Sequence, residues 1–251
     1  MLAPPVALAH PTDPNAAWQA IHTSACAPYR RAGRFAWHFA RGKLGRDPVF
    51  RHLLEHGELA GARVVDIGCG QGLLASLLHS ASAFAASGRW PGAWGPAPNP
   101  RAYTGIELMS RDVARAQEAV GALPLAPRLV CADMRQAPLP ACDSVVILDV
   151  LHYVDHADQA ALLARVRDAL APGGTLLLRV GDAASTRGFA ASQWVDRLVT
   201  RIRGHRVAPT WGRPLDEWVA LLQGLGFAPV EPWPMSQGTP FANVLLVARR
   251  P

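Results

Sequence analysis

The chain has 251 residues, half of them hydrophobic and 18% charged, with a formal net charge of +6. That composition supplies enough apolar material for a sizeable core and excludes global disorder, and no stretch reaches the roughly 18 uninterrupted apolar residues of a membrane span. The positive balance is carried by arginine, Lys43 being the only lysine, and it attracts nucleic acid, anionic lipid, acidic protein or anionic substrate without choosing among them.

The first residues, MLAPPVALA, have no basic region and carry two prolines. They read as a loose arm, so a cytoplasmic location is expected. Residues 1–60 are expected to form an N-terminal helical cap ahead of a second unit over residues 61–251. Within the cap, residues 29–50 alternate aromatic with basic side chains, and Phe35 and Phe39 share the spacing of one packing face of a helix.

From Arg63 onward, short apolar runs alternate with amphipathic segments. Strands are expected at 63–67, 103–107, 128–133, 144–149 and 175–180, with helices at 72–82, 111–120 and 156–171. Pro172-Gly173-Gly174 is expected to end the last helix and turn into the fifth strand. Two insertions break the rhythm: residues 87–101, dense in Gly and Pro, and residues 182–213, with a basic helical segment near 192–202. A helix at 215–225 and strands at 228–232 and 243–248, joined by a turn at 236–240, close the chain as an antiparallel edge hairpin. The fold class is therefore α/β: a doubly wound, Rossmann-like seven-stranded sheet, mostly parallel.

Cys26, Cys69, Cys131 and Cys142 show no CxxC spacing, and the histidines form no HxxxH or HExxH pair. Structural thiols are expected, and no dedicated metal site.

The segment VVDIGCGQG, residues 64–72, follows a strand and opens a helix. Gly68 and Gly70 let a ligand approach the main chain closely, and Gly72 lets the helix start near the sheet. The spacing is D-x-G-x-G-x-G rather than G-x-G-x-x-G. A pyrophosphate would meet helix N–H groups here, but Asp66 would repel it and would instead receive an ammonium, directly or through water. That favours an amino-acid-bearing nucleoside over a dinucleotide.

At these residues the sequence resembles the class I S-adenosylmethionine-dependent methyltransferases, motif by motif over residues 61–180. The resemblance implies that Asp66, Gly68, Cys69, Gly70 and Gly72 surround the methionine moiety of S-adenosylmethionine. It implies that Glu107, in YTGIELM, binds both ribose hydroxyls, as one carboxylate can for a vicinal diol. Leu108 would then pack on the adenine, and Asp133 with the Met134 N–H would read its edge. Glu107 lies 41 positions after Asp66; the 87–101 insertion accounts for the long separation. Asp149, at the carboxyl end of the fourth strand, faces the methionine end or the acceptor.

Methyl transfer needs orientation, desolvation and sometimes a base. His152, after the fourth strand, is the candidate base, or else a wall of the site. Tyr153, His205, Arg206 and Trp211 are candidates for the acceptor side, and Tyr29, Arg34, Arg41 and Lys43 for the cofactor carboxylate or the acceptor. The N-terminal wording also resembles methyltransferases of bacterial aryl polyene and xanthomonadin-type pigment clusters. That resemblance implies a small aromatic or polyene acceptor from secondary metabolism, carried on an acidic acyl carrier protein. The alternative is a nucleic-acid (RNA) methyltransferase. Charge supports it, but Asp149-Val150-Leu151-His152 stands where base-amine methylation uses an N/D-P-P-Y-type motif.

Overall fold

The computed structural model describes residues 13–61, 63–184, 211–237 and 242–251. The chain begins with three helices: α1 (Pro14–Cys26), α2 (Arg34–Arg46) and α3 (Pro48–Glu55). Asp13 and Asp47 cap α1 and α3, each accepting from the first-turn amides, with a proline at the opening position where a missing N–H costs nothing. A single 3-10 turn, Ala27–Arg30, joins α1 to α2.

The sheet follows as β1 (Arg63–Ile67), β2 (Ala102–Glu107), β3 (Arg128–Cys131), β4 (Cys142–Leu148), β5 (Leu170–Gly181), β6 (Val230–Pro234) and β7 (Asn243–Arg249). Helices α4 (Leu73–Ala86), α5 (Ser110–Val120), α6 (His156–Ala169) and α7 (Leu215–Gly224) lie between strands. The strand order is β3-β2-β1-β4-β5-β7-β6, parallel from β3 to β5, with β7 antiparallel to both neighbours. The expected doubly wound, mostly parallel seven-stranded sheet with an antiparallel C-terminal hairpin is the observed one. The strand order reverses between β1 and β4, which is where such sheets open a ligand crevice at their carboxyl ends.

Successive strand residues point to opposite faces, so two cores form. Val64, Tyr103, Val146 and Leu177 pack against α1 to α4 and the end of α5, whereas Val65, Ile147, Leu176 and Leu178 pack against α6 and α7. The N-terminal helices therefore belong to the layer that covers one face of the sheet.

Several boundaries differ from expectation. Helix α4 runs on to Ala86, with Ala81 and then Phe84 still buried towards its end. Helix α6 ends at Ala169, and Pro172-Gly173-Gly174 lies inside β5 instead of forming a turn. Leu170 already pairs with Cys142, and a register shift between Cys142 and Ser144 absorbs the intervening glycines. Strand β6 starts two residues late, at Val230, where pairing with Ala248 begins. On α2 the buried stripe is Ala36, Ala40 and Leu44, and Phe35 is 58% exposed. Small residues let α2 seat closely; Phe35 is left outside, stacked on Phe39, which is partly buried at the edge of the core. Residues 87–101 are irregular, as expected, and the segment expected near 192–202 lies outside the described residues.

Candidate functional site

The glycine turn joins β1 to α4 at the carboxyl end of the sheet. The Gly68 and Cys69 amides donate to the Ile106 carbonyl at 2.8 and 3.1 Å, so the turn is sewn to β2. Gly68, Gly70 and Gly72 all have left-handed φ, at 77°, 53° and 74°. Their surroundings differ. A Cβ on Gly68 would lie 2.5 Å from the Val150 side chain, whereas one on Gly70 would meet nothing within 4 Å. Gly68 is thus required by packing as well as by its φ, whereas Gly70 is required by its φ alone and its backbone borders open space.

Glu107, at the end of β2, faces that space. One carboxylate oxygen accepts from the Gly70 amide at 3.0 Å and the other from the Met109 amide at 2.8 Å. Each oxygen keeps a further lone pair, so the carboxylate can still receive two hydroxyls. Leu108 beside it is 63% exposed, an apolar surface with no protein cover. A nucleoside fits this arrangement: a diol on Glu107, a flat ring on Leu108, and backbone at Gly70 bare enough for close approach.

Other expected residues take different positions. Asp66 lies beneath the turn, 4% exposed, and accepts from the Tyr103 hydroxyl at 2.5 Å. Burial pushes its carboxyl up to about 7, the Tyr103 hydrogen bond opposing and the Glu107 charge adding to the rise. Cys69 is buried with its sulfur over Gly105, and burial holds its thiol protonated. Tyr29 is wholly buried and donates to the Gln71 carbonyl at 2.9 Å, which ties the N-terminal layer to the turn. Asp133 is engaged by Arg135 through Nε and a terminal nitrogen, and these hydrogen bonds hold its carboxyl below the usual range. The Met134 carbonyl accepts from Arg165 at 3.1 Å. Arg34 is exposed at the start of α2, and Arg41 lies 4.7 Å over the Trp37 ring.

On the far side of the crevice, β4 leads through Asp149 and Val150 into a 3-10 turn, Leu151–Tyr153. The His152 and Tyr153 rings lie 4.2 Å apart, and the His152 carbonyl accepts from the Trp211 amide at 2.9 Å. Tyr153 and Trp211 are 39% and 40% exposed. Trp211 also packs edge-on to His156. Buried Gln159 fixes the wall from behind. It donates to the carbonyls of Leu151, Val154 and Trp211, and accepts from Arg213 at 2.9 Å. His205 and Arg206 lie outside the described residues.

Sequence reasoning missed a cluster of four charges. Arg179, 2% exposed on β5, donates to Asp47 at the start of α3 and to Asp149 after β4, while Lys43 of α2 lies 2.8 Å from Asp47 and 3.5 Å from Asp149. Burial alone would raise the Asp47 carboxyl, but Arg179 and Lys43 hold it well below the usual range. Asp149 is shifted the same way by the same two cations against its burial. Only one signal was legible: an arginine inside the apolar run TLLLRV, where a charge must find partners.

Among the described residues no group of three or more His, Cys, Asp or Glu could hold a metal ion, and no helix is long and apolar enough to cross a membrane.

A family model described as a methyltransferase domain matches residues 36–231. No curated protein matches the chain. Among solved structures, magnesium protoporphyrin IX methyltransferase (ChlM) from Synechocystis PCC 6803 with bound SAH is 19% identical, with a TM-score of 0.58 over 95% of this chain and 100% of that one. The S-adenosylmethionine-dependent methyltransferase SibL, in its apo form, is 20% identical with a TM-score of 0.58, over 86% of this chain, which spans 57% of SibL. Mitomycin 7-O-methyltransferase MmcR is 21% identical with a TM-score of 0.55, over 97% of this chain and 74% of that one. These likenesses establish the fold.

Proposed function

This chain belongs to the methyltransferase domain family, and from that premise we propose that it is an S-adenosylmethionine-dependent methyltransferase acting on a small aromatic or polyene-type metabolite. The observation that carries the cofactor is the Glu107 carboxylate, held by the Gly70 and Met109 amides beside the exposed Leu108. When bound, S-adenosylmethionine supplies a methyl group on an electrophilic sulfonium. Glu107 receives the ribose diol, Leu108 and the Met134 amide receive the adenine, and Asp133 does so once Arg135 yields. Gly68, Gly70 and Gly72 give the methionine portion its close approach, with Asp149 flanking it and Asp66 held beneath the turn by Tyr103.

The acceptor lies against the opposite wall. Tyr153 and Trp211 offer half-open aromatic surfaces, which suit a flat acceptor. His152 takes the proton of an acceptor hydroxyl. The aromatic–basic N-terminal segment supports a pigment-type acceptor delivered on an acidic carrier protein, since Arg34 and Arg41 lie on that surface. The relatives reported above include an enzyme of mitomycin O-methylation, in keeping with a small-molecule acceptor.

The test is to incubate the protein with S-adenosylmethionine and hydroxyaryl acids, free and as carrier-protein thioesters, and to measure S-adenosylhomocysteine release. Release with a hydroxyaryl acceptor, lost in His152→Ala, supports the reading. Release only with RNA overturns the acceptor assignment.

A further inference from the structure

Asp149 has a φ of 61°, left-handed for a residue that carries a Cβ. Such a conformation is strained and persists only where its surroundings over-determine it. Here they do. The Asp149 amide donates to the Arg179 carbonyl at 3.3 Å, and the Asp149 carboxylate accepts twice from the Arg179 guanidinium. Arg179 is itself fixed by Asp47, which lies 132 positions away in the chain. Lys43 balances the second carboxylate. The four charges sum to zero, so the cluster brings no net charge to the crevice.

A buried ion cluster is weak evidence for stability, because desolvation offsets its attraction. Its location indicates a different use. Val150, next in the chain, packs against Gly68 of the glycine turn, and His152 and Tyr153 follow directly. A rotation at Asp149 would therefore shift both the cofactor turn and the acceptor wall.

We propose that Arg179 and Asp47 are positioning residues: they lock Asp149 in its left-handed conformation and so fix the wall from Val150 to Tyr153 against the glycine turn. This rests on the methyltransferase reading for its consequence, and on the geometry of the cluster for its existence.

Hydrogen–deuterium exchange with S-adenosylhomocysteine titration separates the two. Asp47→Asn removes one charge at the capping position and keeps a capping oxygen. It is expected to speed exchange of amides 149–154 about tenfold, as loss of a charge-assisted hydrogen bond does, while β1 amides stay at their wild-type rate. S-adenosylhomocysteine affinity should fall about fivefold in the same variant. Asp149→Asn, which tolerates the left-handed region, should exchange at 149–154 more slowly than Asp149→Ala, which does not. If Asp47→Asn does not fold, the two Asp149 variants carry the comparison. Wild-type exchange at 149–154 in a folded Asp47→Asn overturns the proposal, and if that variant does not fold, wild-type exchange in Asp149→Ala does. Failure of the wild-type protein to bind S-adenosylhomocysteine overturns the cofactor reading and leaves the exchange result to judge the positioning.

Discussion

Tyr103 donates its phenolic hydrogen to Asp66 at 2.5 Å, and both side chains are sealed beneath the glycine turn. The acidic residue of the turn is thus a buried, tyrosine-bound group, with its carboxyl pushed up to about 7 from an ordinary 3.8. The folded state holds that proton more tightly than the unfolded chain does. Its contribution to stability is complete below about pH 4 and is lost as pH rises through about 7. Asp66→Asn removes the dependence. The ligand-free variant should melt with the wild type at pH 4 and be the more stable one at pH 8, by up to about 4 kcal/mol. Thermal melts across that range check it; parallel curves would sink the idea.

The two glycines of the turn should separate folding from binding. Gly68→Ala forces a Cβ to within 2.5 Å of Val150 at a left-handed φ, and should cost about 2–3 kcal/mol of stability. Gly70→Ala meets nothing within 4 Å, so only its left-handed φ is penalised, by about 1 kcal/mol. Its added methyl projects where a ligand would lie. S-adenosylhomocysteine affinity should drop at least about tenfold, read by calorimetry beside a nearly unchanged melt.

Glu107 orders the Gly70 and Met109 amides, and the proposed cofactor site gives it a second task, receiving the ribose. Glu107→Gln keeps an acceptor for one amide and should weaken S-adenosylhomocysteine binding by about 1–2 kcal/mol. Glu107→Ala removes both acceptors, and the loss should exceed tenfold, about 1.4 kcal/mol, by a clear margin. Wild-type affinity in both variants would show that the carboxylate does not touch the ligand.

Gln159 is wholly buried and joins the carbonyls of Leu151, Val154 and Trp211 to Arg213. Gln159→Leu leaves those groups unmatched and should lower stability by about 2–4 kcal/mol. Gln159 holds Leu151 and Val154 from behind and leaves the Arg179 contact with Asp149 in place, so S-adenosylhomocysteine affinity should stay within about twofold of wild type while acceptor KM rises. A large loss of cofactor affinity would show that Gln159 also sets the Val150 contact with the glycine turn.

The sheet was legible because its central strands are buried on both faces and read as short apolar runs with helices between them. The glycine turn was legible for the same reason: its context is a strand before and a helix after. Legibility failed where packing rather than pattern decided. The phenylalanines of α2 dominate its sequence, yet Ala36, Ala40 and Leu44 form the buried stripe, since only small side chains allow the helix its close seat. The Pro-Gly-Gly of residues 172–174 looked like a helix stop, but pairing of Leu170 with Cys142 outweighed it. Asp47 and Arg179 carry no local signal of each other, because their contact depends on how α3 and β5 are brought together in the fold.

The central claim is that the crevice between Glu107 and Asp149 takes S-adenosylmethionine. Calorimetric titration of the purified protein with S-adenosylmethionine, S-adenosylhomocysteine and NAD tests it most directly. Saturable binding of the first two, lost in Glu107→Ala, and none of NAD is the expected result. Binding of NAD alone, or binding of the first two that Glu107→Ala leaves intact, would contradict it.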